Sequence, residues 1–222
     1  MDITPVARFH SPFSTKFGIP RQSGVVSELL GWIELLPPYD KEEALRGLDA
    51  FDYLWLIWEF SQSSEGGAPR LTVRPPRLGG NERIGVFASR SPFRPNRLGL
   101  SSVRLERVEG TRIYVRGADL MDGTPIYDIK PYVAYADSHP DVHSGFVDAK
   151  EWKRLEVVVP PETAALFSAD DLAVLKEVLA QDPRPPYHDD PERVYGMPFA
   201  GRDVRFRVSG DLLEVLEAPA QT

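Results

Sequence analysis

Cysteine is absent from the 222 residues, so no disulfide, thiolate metal site or cysteine nucleophile is available. This usage fits a protein of the reducing cytoplasm. No apolar run approaches the roughly 18 residues of a membrane span. The opening residues MDITPVARFHSPF lack the basic-then-apolar order of a secretory leader. A G-x-G-x-x-G or Walker loop is missing as well: Gly79-Gly80 comes nearest and has neither spacing, which argues against a doubly wound nucleotide fold. The histidines (His10, His139, His143, His188) make no metal set. His139 and His143 have i, i+4 spacing, but Pro140 stands between them and no carboxylate motif accompanies them.

Between residues 70 and 107 lysine is also missing, and arginine is abundant. Nine arginines (70, 74, 77, 83, 90, 94, 97, 104, 107) face two acids, Glu82 and Glu106, a local balance of +7 in a chain whose net charge is −7. From 160 to 222 the balance reverses, with six basic residues against twelve acidic ones. Local field, more than total charge, steers an anionic ligand. The choice of arginine points to forked recognition of phosphate or carboxylate.

Proline (21) and glycine (17) punctuate the chain so often that short strands are expected. Candidate strands are 3–9, 24–35, 52–60, 84–88, 101–108, 111–119, 125–130 and 154–159. Glu109-Gly110 and Ser209-Gly210 read as hairpin turns. WLIWEF, residues 55–60, reads as core strand. Two helices are expected. One spans about 40–47, capped by Asp40; the other spans about 169–180, where Ser168 and Asp171 resemble a capping box and Leu172, Leu175 and Leu179 share a face. The predicted fold is mainly β with some α: an all-β barrel or strongly bent sheet, with a boundary near 155–165.

Four blocks could carry chemistry. Lys16 to Gln22 (KFGIPRQ) is a loop shaped by glycine and proline, or an ordinary connection between strands. RPPRLGGN, residues 74–81, is a weak phosphate-loop candidate. SRSPFRPNRLGLS, residues 89–101, alternates arginine with proline, which restrains the backbone and presents guanidinium groups at low entropic cost. DLMDGTP, residues 119–125, followed by IYDIKPYVAY, gathers Asp122, Asp128, Lys130, Tyr132, Tyr135 and Asp137; Asp122-Gly123 is also a turn signal.

Together, and in this order, SPFSTKFGIPRQ, LDAFDYLWLIWEF, RPPRLGGNERIGVFASRSPFRPNRLGLS and DLMDGTPIYDIKPYVAYAD resemble the TrmO, or TsaA-like, family of S-adenosylmethionine-dependent tRNA (adenine-N6)-methyltransferases. DPRPPY, YGM and DVRFRV resemble its C-terminal part. The resemblance implies a β-barrel methyltransferase domain, not a Rossmann one, over 1–158 and a small α+β C-terminal domain over 159–222. It implies a cytoplasmic homodimer that methylates N6 of threonylcarbamoyladenosine beside the anticodon of tRNA, with S-adenosylmethionine and no metal. Carried over by motif, the cofactor site comprises Pro20, Arg21, Gln22, Ser61, Gln62, Arg90, Leu100, Leu120, Met121, Asp122, Gly123 and Thr124. Two departures stand out: Ser61 where the family often has histidine, and Arg94-Pro95-Asn96-Arg97 where it has RPNP.

The acceptor nitrogen is a poor nucleophile, so loss of its proton would assist methyl transfer, and Asp122, Asp128 and Lys130 are the candidate participants. Arg74, Arg77, Arg94 and Arg97 are expected to face RNA or the modified base. A non-catalytic S-adenosylmethionine- or RNA-binding module is the alternative. A metal-dependent nuclease finds little support, because no ligand pattern is present.

Overall fold

The computed structural model describes residues 2–62, 70–75, 82–148, 153–185 and 190–221. Six strands close into an antiparallel barrel: β1 (Ala7–His10), β2 (Leu30–Leu35), β7 (Arg112–Arg116), β6 (Leu98–Glu109), β3 (Tyr53–Glu59) and β8 (Pro125–Pro131), which returns to β1. Strand β3 shows how the sequence specifies this. In YLWLIWE the alternate residues Leu54, Leu56 and Trp58 are buried, the period of two that one buried sheet face requires. They pair in register with Val103, Ser101 and Gly99 of β6. Phe9, Ile33, Ile113, Val115 and Ile126 join the same core. Each such side chain gains about 1.5–3 kcal/mol on burial. Gly99 is needed because a Cβ there would stand 2.4 Å from the Trp58 ring. The hairpin between β6 and β7 turns at Gly110, in the left-handed region at φ +59, as Glu109-Gly110 predicts.

A second sheet runs β10 (Tyr195–Phe199), β11 (Arg202–Ser209), β12 (Leu212–Glu217) and β9 (Glu156–Val158), the last parallel to β12. The last residues of segment 1–158 therefore pair with the C-terminal sheet. Two one-turn helices, α1 (Ala134–Asp137) and α2 (Pro161–Ala164), precede α3 (Ala169–Ala180). Helix α3 has the predicted span. Ser168 Oγ accepts from the Asp171 N–H at 3.0 Å, and Leu175, Val178 and Leu179 are buried in one cluster with Val204, Phe206 and Val215. Among the described residues no helix is long and apolar enough to cross a membrane.

Two expectations are corrected. The helix expected at about 40–47 is a single 3-10 turn, Glu42–Leu45, entered from Lys41 without a side-chain cap, so Asp40 caps nothing there. Gly47, at φ +85, ends the segment before enough turns accumulate to offset helix nucleation. The strand expected at 84–88 is two residues long, β5 (Ile84–Gly85), and then becomes a 3-10 turn, Val86–Ala88. Its partner β4 (Thr72–Val73) offers only two residues to pair with.

Between β1 and β2 the chain leaves the barrel. Phe13, Val26 and Leu29 of this excursion are buried in the C-terminal core. The Ala200 N–H donates to the Pro12 carbonyl at 3.3 Å. The two cores are thus joined by an N-terminal loop as well as by the chain that connects them in sequence.

Candidate functional site

Three segments far apart in sequence meet at one rim of the barrel. From the excursion, Gln22 Oε1 accepts a 2.6 Å hydrogen bond from Arg90 Nη1 of the arginine-rich loop. Asp119, just after β7, receives the Ser101 hydroxyl proton at 2.5 Å, while Ser101 Oγ accepts from the Trp58 indole N–H at 2.9 Å. Trp58 and Ser101 lie inside the barrel, so the chain indole, hydroxyl, carboxyl runs from the core to the rim. Burial pushes the Asp119 carboxyl above its usual range. The Ser101 hydrogen bond, backbone N–H groups of Asp119 and Ser23, and the nearby Arg90 cation pull in the opposite sense.

The arginine-rich loop is shaped largely by its own side chains. Arg94 turns back on the loop, its Nη1 donating to the Ser89 carbonyl at 2.6 Å and the Val86 carbonyl at 3.3 Å. Arg97 adopts φ +52, an uncommon angle outside glycine, and its guanidinium pairs with Glu59 Oε1 at 3.1 Å. The other Glu59 oxygen accepts from the Tyr127 hydroxyl at 2.7 Å, which raises the Tyr127 pKa. Arg104 pairs with Glu28 and Arg107 with Glu109, so part of the positive island is neutralised within the fold. Arg74 is exposed; Arg77 lies outside the described residues. Arg70 sits 3.9 Å above the Phe93 ring, and Phe87 is strongly exposed beside Arg94.

The turn at Leu120 to Thr124 closes on β1. The Gly123 N–H donates to the Phe9 carbonyl and the Asp122 N–H to the Phe13 carbonyl. Asp122 Oδ1 accepts from the Ser11 N–H at 3.1 Å and lies 3.3 Å from His10 Nδ1. Leu120 and Thr124 are 1% and 2% exposed, so these two can offer a ligand only backbone groups. A cavity of about 320 Å³ opens beside Asp122, with His10, Trp32 and Tyr114 in its wall; His10 and Trp32 stack at 3.9 Å. Pro20 is buried, Ser61 and Gln62 are exposed just after β3, and Leu100 is a 56%-exposed leucine on β6. Asp128 and Lys130 form a 2.9 Å ion pair on β8, opposite Ile57 and Trp55 of β3.

Residues 8–138 match the family model for the tRNA-methyltransferase O N-terminal domain, and residues 153–221 match that for the TrmO C-terminal domain. The chain belongs to the TrmO family. It is 41% identical to the tRNA (adenine(37)-N6)-methyltransferase of Escherichia coli over 217 residues, covering 92% of both chains. It is 43% identical over 223 residues to RcsF of Pseudomonas aeruginosa, a protein whose name proposes an S-adenosylmethionine-dependent methyltransferase; the match covers 97% of this chain and 96% of that one. The crystal structure of TrmO from Pseudomonas aeruginosa superposes with a TM-score of 0.81 at 34% identity, covering 99% of each chain.

For a member of the TrmO family, the motif residues Gln22, Arg90 and the turn at 120–124 converge here. Ser101, Trp58 and Asp119, which brace that convergence, were not singled out from sequence. One signal was present: Ser101 is a lone hydroxyl at an inward position of an apolar strand, and a buried hydroxyl needs a partner. Asp182 was missed as well. Its carbonyl accepts from Arg21 Nη2 at 3.0 Å, across 161 positions of sequence.

Proposed function

We propose that this chain methylates N6 of threonylcarbamoyladenosine beside the anticodon of tRNA, using S-adenosylmethionine. The class of enzyme, an S-adenosylmethionine-dependent tRNA (adenine-N6)-methyltransferase, comes with family membership. The observation that carries the reading is the meeting of Gln22, Arg90 and Asp119 at one rim, where the family's cofactor motifs converge. The residues suit that ligand. Arg90, steadied by Gln22, offers a fork to a carboxylate; Leu100 offers an exposed apolar face to an adenine ring; Asp119 offers a carboxyl to amine or hydroxyl donors. When bound, S-adenosylmethionine supplies an electrophilic methyl on a sulfonium.

The protein's own share is placement and proton handling. The cavity walled by His10, Trp32 and Tyr114 suits an unstacked base, and it is bordered by Asp122. Ser11 and His10 brace Asp122 Oδ1, and the other carboxylate oxygen takes the proton of the acceptor nitrogen. Asp128 and Lys130, paired with each other on β8, act in RNA contact rather than in proton transfer. Arg94 and Arg97 hold the loop, and the exposed Arg70, Arg74 and Arg83 with Phe87 meet phosphates and bases. We carry the homodimer as part of this proposal, with light scattering of the purified chain as its measurement.

The deciding experiment incubates the protein and S-adenosylmethionine with tRNA bearing or lacking the threonylcarbamoyl group, followed by nucleoside mass analysis. A methyl gained only on the threonylcarbamoyl nucleoside is expected. A methyl gained elsewhere, or none on either tRNA, would overturn the substrate assignment.

A further inference from the structure

We infer that the turn after α3 is a clamp that sets the shape of the cofactor loop: Arg184 holds Asp182, and Asp182 holds Arg21. The inference rests on the reading above that Pro20, Arg21 and Gln22 face S-adenosylmethionine, and it gives the C-terminal part a task in that site.

The loop that carries Gln22 does not take its shape from the barrel alone. Phe13, Val26 and Leu29 on either side of it are buried in the C-terminal core. Within it, Gly18 lies on Met197 of β10: a Cβ at Gly18 would stand 2.1 Å from the Met197 sulfur, and the backbone there is at φ +90. Only glycine satisfies both conditions without strain. Three residues later Arg21 Nη2 donates to the Asp182 carbonyl at 3.0 Å.

That carbonyl is aimed by local chemistry. Asp182 follows the C-terminal end of α3 at φ +50, a conformation that aspartate tolerates better than most residues because its short side chain can bond locally. Here the local partner is Arg184. Its Nε meets Asp182 Oδ1 at 2.8 Å, its Nη2 meets Oδ2 at 2.9 Å, and its backbone N–H reaches Oδ1 at 3.3 Å. The Arg184 side chain is mostly buried, so this forked pair is less screened than a surface bridge. The Asp182 N–H donates to the Leu179 carbonyl, fastening the turn to α3. The linkage runs from α3 through Asp182 to Arg21, and from its neighbour Gln22 to Arg90. Asp182 and Arg184 are positioning residues, acting on the site through Arg21.

The test uses the full chain with Arg184→Met, which keeps bulk and removes the fork, and Asp182→Asn, which keeps a residue at ease in the left-handed region and weakens the fork. Three quantities are measured: S-adenosylmethionine affinity by calorimetry, tRNA affinity, and amide hydrogen exchange of residues 18–23 without ligand. Arg184→Met should weaken cofactor binding about tenfold, speed exchange in 18–23 about tenfold, and leave tRNA affinity unchanged. Asp182→Asn should fall between it and the parent. Gly18→Ala should mimic Arg184→Met, and Met197→Ala added to it should restore part of the loss. Unchanged exchange in Arg184→Met overturns the clamp whatever the cofactor does. Faster exchange with unchanged cofactor affinity leaves the clamp standing but removes its role in binding, and so overturns the inference. A parent chain that binds no S-adenosylmethionine defeats the underlying reading instead, and the exchange data tell the two failures apart.

Discussion

Asp119 carries a linkage that can be read in stability as well as in function. Its folded-state pKa is raised, chiefly by burial. Its contribution is therefore fully present below the unfolded aspartate value and is lost as pH rises through the folded value. Asp119→Asn removes the titration. The urea midpoint of the parent minus that of the variant should therefore shrink as pH rises from about 4, the ordinary aspartate value. A difference that stays flat with pH would show that the carboxyl is not held in this way. Residues such as Asp119 are hard to find in a sequence. Asp119 stands beside a turn signal, and its partner Ser101 is 18 positions away. Arg90 was legible because proline and glycine surround it, whereas Asp119 gains its importance only from what folds on top of it.

At the scale of elements, local signals served well wherever the partner was also local. Ser168 marked the start of α3, and Glu109-Gly110 marked the β6–β7 hairpin. They failed at 40–47 and 84–88, where tertiary partners too short to extend the element decided the outcome. The arginine-rich loop shows the same division. Its stiffness was legible; the direction of each guanidinium was not. Arg94 bonds inward to two carbonyls, and loss of charged hydrogen bonds of this kind costs about 1.5–3 kcal/mol. Arg94→Ala should therefore loosen the segment that presents Arg90 and weaken S-adenosylmethionine binding and tRNA methylation together. Calorimetry alongside methyl-transfer rates will check this. Loss of methylation with cofactor affinity intact would show instead that Arg94 reaches RNA directly.

Across the whole molecule, internal pairing divides the central arginines. Those held by Glu28, Glu59 and Glu109 have little charge left for a partner. Arg70, Arg74 and Arg83 remain exposed. If these three engage phosphates of an unpaired loop, log affinity for tRNA should fall against log salt with a slope of about −2, at about 0.7 per contact. A slope several units steeper, measured by filter binding over a salt series, would mean that the pairs at Glu28 and Glu109 open on binding. The barrel's closure was legible in outline from many short alternating strands. The threading of residues 11–29 into the second core was not, because no periodicity within that loop names a partner some 180 positions away.

That threading restricts how such a protein can be divided or recombined. A break at the junction between the two family matches would strand Phe13, Val26 and Leu29 on one fragment and the core that buries them on the other. Exchanging the C-terminal part with that of a relative would require the first thirty residues to travel with it, although the other end of the barrel lies between them in the gene. For inheritance as for engineering, the unit of this protein is discontinuous, and substitutions near its N-terminus answer to both cores at once.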